Sequence, residues 1–152
     1  MSSETIEDLS VLVVDDSLPM RLFMRTMLAN LEVGVVRTAR DASEALQLVA
    51  DRLPDLVITD HRMEPMDGVE FLRELRASGD PQVRELPVIM MTAHAGAELL
   101  RDAVKAGVDD ILAKPFPQIT LNERILKVLG NVSGKSGDVT DGAPEIGFQL
   151  CA

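Results

Sequence analysis

The feature that most constrains the fold is a short, continuous apolar run that ends in a carboxylate. Residues 55–59 read Asp-Leu-Val-Ile-Thr and lead directly into Asp60, with Pro54 before the run and Gly68 after it. A run of this length is typical of a strand buried on both faces of a parallel sheet. Chemistry in such sheets collects at the carboxyl ends of the strands. The run alone leaves two interpretations of Asp60 open: a working carboxylate, or a cap on the loop that follows.

Similar runs recur along the chain and alternate with segments of helical periodicity. Strands are predicted at residues 10–14, 35–38, 55–60, 86–92 and 111–113. The apolar positions of the five predicted helices are Met20, Met24, Met27, Leu28 and Leu31, then Ala42, Ala45, Leu46 and Val49, then Val69, Leu72 and Leu75, then Leu99, Leu100, Ala103 and Val104, then Leu121, Ile125, Val128 and Leu129. The alternation predicts a doubly wound α/β fold, a parallel sheet with helices on both faces.

Local signals place the ends of these helices. Pro19 suits the first turn of the first helix. Asp41 or Ser43 is a suitable N-cap for the second helix. The third helix starts near Asp67, and we expect the loop at residues 78–81 to stop it.

Composition indicates one domain with a tail at each end. The 152 residues, 46% of them hydrophobic, suffice for a single core. The predicted units cover residues 10–130, after a polar tail at residues 1–9. Residues 131–152 are rich in glycine and serine and predict a flexible tail with one apolar stretch at residues 146–150.

Charge, hydropathy and cysteine content exclude several classes of partner. A formal net charge of -10 argues against nucleic acid or an anionic membrane, because both demand basic patches. The longest apolar runs are only strand-sized, so no membrane span is predicted. The single cysteine, Cys151, fits a reducing compartment. We therefore expect a cytoplasmic protein that binds neither nucleic acid nor membrane.

Polar residues follow four of the predicted strands at their carboxyl ends. These residues are Asp15, Asp16, Asp60, Thr92 and Lys114. In a doubly wound sheet the loops that carry them converge on one edge. Three carboxylates gathered there would raise each other's pKa unless a cation intervenes. An all-oxygen ligand set of this kind suits Mg²⁺.

Each of these residues also has a simpler interpretation. Asp15 and Asp16 could cap the first helix, Thr92 could be an ordinary strand residue, and Lys114 could be a solvated charge. Chance placement of all of them at one edge of the sheet is improbable. Their joint position therefore favours a functional site.

The same residues lie in a larger set of motifs. Asp60 and the segment 63–68 are accompanied by Val-Val-Asp-Asp at residues 13–16, Met-Thr-Ala at 91–93 and Lys-Pro-Phe at 114–116. In order and spacing this set resembles the receiver domain of two-component response regulators, of the stand-alone CheY-like kind. The segment 63–68 departs from the family pattern, which more often places proline directly after the methionine. That departure changes a loop and none of the acidic residues.

The resemblance implies a fold and a reaction. The fold is a flavodoxin-like sheet with strand order 2-1-3-4-5. In the reaction, Asp60 accepts a phosphoryl group from the phosphohistidine of a sensor histidine kinase or phosphotransfer domain, and Mg²⁺ is required. Asp16 is the implied direct metal ligand beside Asp60, Asp15 binds through water, and Arg62 offers its backbone carbonyl. The chain would then catalyse only its own phosphorylation and dephosphorylation.

Further roles follow from the same resemblance. Lys114 would neutralise charge on the transferring group, and Thr92 would donate its hydroxyl to the new phosphoryl oxygen. A cis peptide bond before Pro115 would aim the lysine. Arg62 and His94 take positions that flank the phosphoryl group, so we expect them to set the lifetime of the phosphorylated state.

The implied output is contact with a downstream protein. The contact face consists of the fourth predicted helix, the fifth strand and the fifth helix, on a monomer or weak dimer in chemotaxis-type signalling. Many receivers have Tyr or Phe at the position of Ile111, so output here should not depend on an aromatic rotamer. A phosphorelay intermediate or a phosphate sink without its own output is the alternative.

Two enzyme or cofactor classes fit less well. A Mg²⁺-dependent phosphatase of the haloacid-dehalogenase type needs a second aspartate two residues after the nucleophile, where Arg62 stands. A nucleotide- or flavin-binding domain needs a phosphate loop after the first strand. The acidic pair in residues 15–19 would repel phosphate instead.

Overall fold

The computed structural model describes residues 6–134. Within this range the sheet strands are β1 (Ser10–Val14), β2 (Val35–Ala39), β3 (Leu56–Asp60), β4 (Val88–Thr92) and β5 (Asp110–Ala113). The α-helices are α1 (Leu18–Asn30), α2 (Ala42–Asp51), α3 (Gly68–Arg76), α4 (Pro81–Arg84), α5 (Ala97–Ala106) and α6 (Gln118–Gly134). A turn of 3-10 helix, Ile6–Asp8, precedes β1. The strands pair in parallel in the order β2-β1-β3-β4-β5, which confirms the predicted fold class and strand order.

The sheet is covered on both faces, because successive strand residues point to opposite sides. Leu12 and Val14 pack in one apolar cluster with residues of α2, α3 and α5. Val11 and Val13 pack in the other cluster with residues of α1 and α6. Every residue of β3 is buried, as the apolar run ending at Asp60 predicted. Each large apolar side chain buried in this way contributes roughly 1.5–3 kcal/mol.

Caps at the helix starts explain where the strand-to-helix loops end. The Ser17 hydroxyl accepts the Met20 N–H at 3.2 Å and caps α1. Asp41, rather than Ser43, caps α2. Asp67 caps α3 in a reciprocal capping box with Glu70. The caps at Ser17 and Asp41 begin helices within four residues of the ends of β1 and β2, whereas a longer loop at residues 61–67 separates β3 from α3.

The structure differs from the sequence-based prediction around the third helix. The loop predicted at residues 78–81 does follow the end of α3 at Arg76, as expected. Its last residue, Pro81, already belongs to the one-turn helix α4, which was not predicted. Asp80 caps α4 by accepting the Gln82 N–H at 2.9 Å, and Pro81 opens its first turn. A helix of 4 residues is too short to produce an apolar period, which is why the prediction missed it. Strand β4 begins at Val88, two residues later than predicted.

Two further differences concern the last helices. Val104, counted in the apolar set of the fourth predicted helix, is 54% exposed on α5. Helix α6 ends at Gly134, four residues beyond the predicted boundary at residue 130. The apolar stretch at residues 146–150 lies outside the described residues. Within residues 6–134, none of the helices is both long and apolar enough to cross a bilayer.

Candidate functional site

Three carboxylates meet at the carboxyl edge of the sheet. Asp15 and Asp16 follow β1, Asp60 ends β3, and one oxygen of each lies within 4.8 Å of the others. They meet because β1 and β3 pair in register, with Val14 opposite Thr59. These two strands also mark the point where the strand order changes direction: β2 lies on one side of the pair, and β4 and β5 lie on the other. Doubly wound sheets open a crevice at such a point. Asp15 and Asp60 are buried and Asp16 is exposed, so the group opens to solvent on one side.

Lys114 brings a cation into this group from the end of β5. Its Nζ lies 2.9 Å from Oδ1 of Asp60 and 3.9 Å from Oδ2 of Asp15. Its backbone N–H donates to the Thr92 carbonyl at 2.8 Å, which ties the ends of β4 and β5 together. The Lys114–Pro115 peptide bond is cis, as the resemblance implied. One ammonium is therefore shared between two buried carboxylates.

Asp15 is the most constrained member of the group. Its Oδ1 accepts the Ser17 N–H at 2.9 Å, whereas its buried Oδ2 has no hydrogen-bond partner. Burial raises the pKa of Asp15, and the nearby Asp60 raises it further, against the lowering effects of the Ser17 N–H and Lys114. A second cation beside Oδ2 would offset this cost.

The donor set fits Mg²⁺ on chemical grounds. The three clustered side chains of Asp15, Asp16 and Asp60 offer only hard oxygen ligands. Arg62, predicted to contribute its backbone carbonyl, is exposed on the rim of a cleft that Asp16 and Glu64 also line. The side chain of Arg62 takes no part in the carboxylate group.

Thr92 occupies the end of β4, beside β3. It is only 2% exposed, and its Oγ1 accepts the His94 N–H at 3.1 Å. A threonine hydroxyl that accepts one hydrogen bond can still donate its own hydrogen. The structure thus brings Thr92, Asp60 and Lys114 to neighbouring strand ends, with a free donor on the threonine.

Two residues that support the site did not stand out as such in the sequence. A side chain at Gly68 would collide with the backbone oxygen of Asp60, so only glycine fits there. The Arg21 guanidinium donates to the Asp15 carbonyl at 2.8 Å. Gly68 belongs to the segment 63–68 of the motif set, so the sequence did contain a signal for it. Arg21 had no signal, because the reach of a long side chain is not encoded in spacing.

Comparison with known proteins agrees with this geometry. Residues 11–126 match the response regulator receiver domain family. The chain belongs to the response regulator receiver family. The receiver match contains every residue of the carboxylate group together with Thr92 and Lys114.

Individual relatives point to one branch of the receivers. The chain is 34% identical over 122 residues to chemotaxis protein CheY-3 of Vibrio cholerae serotype O1, covering 80% of this chain and 92% of that protein. It is 34% identical over 126 residues to chemotaxis protein CheY of Pseudomonas aeruginosa, covering 83% and 100%. The crystal structure of Vibrio cholerae CheY4 superposes with a TM-score of 0.74 at 30% identity, covering 80% and 98%. The receiver is therefore CheY-like.

Proposed function

We propose that this receiver accepts a phosphoryl group on Asp60 from the phosphohistidine of a sensor histidine kinase or phosphotransfer protein and then signals by protein contact. The observation that carries the proposal is the Lys114 ammonium, 2.9 Å from Asp60 in a pocket with two further carboxylates. Such a pocket holds one nucleophile and the charges that phosphoryl transfer needs.

The proposed transfer uses the free oxygen of Asp60. Lys114 engages Oδ1, which leaves Oδ2 to attack phosphorus in line with the phosphohistidine N–P bond. The O–P bond forms, the N–P bond breaks, and the imidazole nitrogen leaves with the electron pair and takes up a proton. Lys114 then balances charge on the phosphoryl oxygens. Asp16, Asp60 and the Arg62 carbonyl, with Asp15 through a water molecule, would hold Mg²⁺, which would supply positive charge to the same oxygens.

Thr92 is the proposed sensor of the new group. Its hydroxyl hydrogen is available to a phosphoryl oxygen on Asp60, while its oxygen accepts from His94. Movement of Thr92 toward the phosphoryl group would shift the end of β4 and the surface of α5, β5 and α6. This surface corresponds to the predicted output face, and we assign the downstream partner to it.

The phosphodonor protein needs a surface to bind next to the carboxylates. Helix α1 exposes Leu18, Leu22 and Phe23 by 55%, 53% and 48% immediately after the acidic pair. A partner helix could bury these side chains while it presents its histidine to Asp60. The cytoplasmic location, chemotaxis-type signalling and the monomeric or weakly dimeric state belong to the same proposal.

Phosphorylation by a small donor tests the central claim. The protein is incubated with acetyl phosphate and Mg²⁺, and intact mass and peptide mapping follow the product. We expect one phosphoryl group on Asp60, and none in an Asp60→Asn variant. Catalytic release of phosphate from many donor molecules, without an accumulating phosphoprotein, would instead identify the phosphatase alternative.

A second candidate, a phosphorelay intermediate or phosphate sink without output of its own, is favoured by one observation. Ile111 takes the place of the aromatic switch residue and is 2% exposed, so no side chain swings there between surface and core. The two candidates differ in the fate of the phosphoryl group. Rapid transfer from Asp60 to a second phosphotransfer protein, with no binding of other partners, would support the relay.

A further inference from the structure

The loop between β1 and α1 holds the two carboxylates that follow β1. Asp15 donates its N–H to the Ala39 carbonyl at 3.1 Å. Its Oδ1 accepts the Ser17 N–H at 2.9 Å. Its carbonyl accepts the Arg21 guanidinium at 2.8 Å. The remaining polar atom, Oδ2, has no hydrogen-bond partner and forms only a long ion pair with the Lys114 ammonium, 3.9 Å away.

Arg21 reaches this loop twice from the first turn of α1. Its backbone N–H donates to the Ser17 carbonyl at 3.0 Å. Its side chain donates to the carbonyl of the peptide that joins Asp15 to Asp16. Rotation of that peptide would swing both carboxylates relative to Asp60. A hydrogen bond from a charged group to this carbonyl opposes such a rotation.

We propose that Arg21 is a positioning residue for the metal-binding carboxylates. It acts through the Asp15–Asp16 peptide and does not touch the phosphoryl group. The inference rests on the proposed Mg²⁺ site. Partners that orient metal ligands in this way typically change metal affinity by about 10–100-fold when removed.

The direction in which Mg²⁺ affinity changes when Arg21 is removed distinguishes a positioning role from a purely electrostatic one. Arg21 is a cation, so its charge alone repels Mg²⁺, and its removal should tighten metal binding if charge is all that matters. If Arg21 orients the carboxylates, its removal should weaken binding. Arg25 lies one turn further along α1 and is exposed, and its side chain has no hydrogen bond or ion pair within the described part of the chain. It is the matched control for loss of one positive charge.

The test is calorimetric titration with Mg²⁺ of the full chain and of the variants Arg21→Ala, Arg21→Lys and Arg25→Ala, with thermal unfolding of each. We expect Arg21→Ala to raise the Mg²⁺ dissociation constant about tenfold. Arg21→Lys, which keeps a charged donor, should recover part of the loss, and Arg25→Ala should bind Mg²⁺ as tightly as wild type or slightly more so. With acetyl phosphate as donor, the Mg²⁺ concentration that gives half the maximal phosphorylation rate should rise in Arg21→Ala in step with the Mg²⁺ dissociation constant, and it should recover in part in Arg21→Lys.

Unchanged or tighter Mg²⁺ binding by Arg21→Ala would overturn the inference and leave the proposed function standing. Absence of Mg²⁺ binding by the wild-type chain would overturn both. If Arg21→Ala does not fold, Arg21→Lys decides the question, since a misplaced loop should still weaken binding there. Wild-type affinity in a folded Arg21→Lys, together with an unfolded Arg21→Ala, would assign Arg21 to stability and refute a role in positioning.

Discussion

Strand β5 has a cation and carboxylates at each end, and the two arrangements differ in charge balance. At its start, one Arg124 guanidinium lies 2.7 Å from Oδ1 of Asp110 and also donates to the Ile111 carbonyl at 3.1 Å. Asp110 and Arg124 are 0% and 4% exposed. At its end, the Lys114 ammonium contacts Asp15 and Asp60, two members of a group of three carboxylates, and the lysine side chain is 22% exposed.

The difference separates a structural pair from a reactive site. The first arrangement is one cation to one anion, and a planar guanidinium holds a fixed geometry. The second, when fully ionised, combines three negative charges with one positive charge and so lacks the charge of one divalent cation. A lysine ammonium is a mobile point charge that can follow a new anion. One end of the strand is therefore a charge-balanced buried ion pair, and the other end is the proposed phosphorylation site.

The largest effect is expected from a substitution of the proposed nucleophile, Asp60. We expect Asp60→Asn to abolish phosphorylation by any donor, because an amide oxygen does not attack phosphorus. Asp16→Asn should instead weaken Mg²⁺ binding and leave Asp60 competent at high Mg²⁺. Peptide mapping by mass spectrometry checks both. A phosphoryl label on Asp15 or Asp16 in the wild-type protein would refute the assignment.

The structural end should dominate stability. We expect Arg124→Ala to lower the free energy of unfolding by about 3–5 kcal/mol, because it leaves the buried Asp110 carboxylate without its cation. Lys114→Ala should lower the free energy of unfolding by less, because the carboxylates around Lys114 lie at an edge that is open to solvent through Asp16. The same variant should slow phosphorylation. Urea unfolding and phosphorylation rates measure the two effects. Equal losses of stability in both variants would remove the distinction between the two ends.

Ionisation of the Asp15 carboxyl makes the stability of the protein depend on pH. Burial raises the pKa of this carboxyl above its ordinary value of 3.8, so the folded state binds the proton more tightly than the unfolded state does. Its contribution to stability is complete below 3.8 and is lost as the pH rises through the raised pKa. Without Mg²⁺, we therefore expect Asp15→Asn to be more stable than wild type at pH 7.

Urea unfolding across a pH series, with and without Mg²⁺, checks this expectation. The advantage of Asp15→Asn should vanish in acid, where the wild-type carboxyl is protonated in both states. Mg²⁺ at a hundredfold excess over its dissociation constant should stabilise the wild type by about 2.7 kcal/mol, and the variant by less. A variant that is less stable than wild type at pH 7 without Mg²⁺ would contradict the cost of burying this charge.

The smallest expected effect concerns the two exposed residues that flank the site. We expect Arg62→Ala to speed hydrolysis of the phosphorylated state by about tenfold, the equivalent of one hydrogen bond to a charged group. His94→Ala should change the rate less, since the contact with Thr92 uses the His94 backbone N–H and survives the substitution. Dephosphorylation is followed after donor removal. Wild-type rates in both variants would mean that these side chains are ordinary solvated residues.

The apolar patterning of the chain predicted the doubly wound α/β fold, and the polar residues at the strand ends were the candidates for the site. The strand order came from the resemblance to receiver domains. Alternating runs and helical periods predicted the strands, and the register of parallel neighbours makes Asp15, Asp60 and Lys114 converge once the strand order is set. The helix start predicted near Asp67 was also correct, and the structure shows there a capping box that lies within four consecutive residues. These features depend on neighbours along the chain or on the geometry common to parallel sheets, so sequence spacing is enough to predict them.

Only the tertiary structure decided how each polar group is paired. Asp110 and Arg124 lie on different elements, and a buried pair between them cannot be read from either residue. The missing hydrogen bond at Oδ2 of Asp15 and the contact from Arg21 likewise depend on where side chains end after packing. Val104 carries an apolar side chain on an amphipathic helix and is still exposed. The physical reason is common to all four: burial and partner choice for a side chain are set by the surfaces that surround it, and distant parts of the chain supply those surfaces.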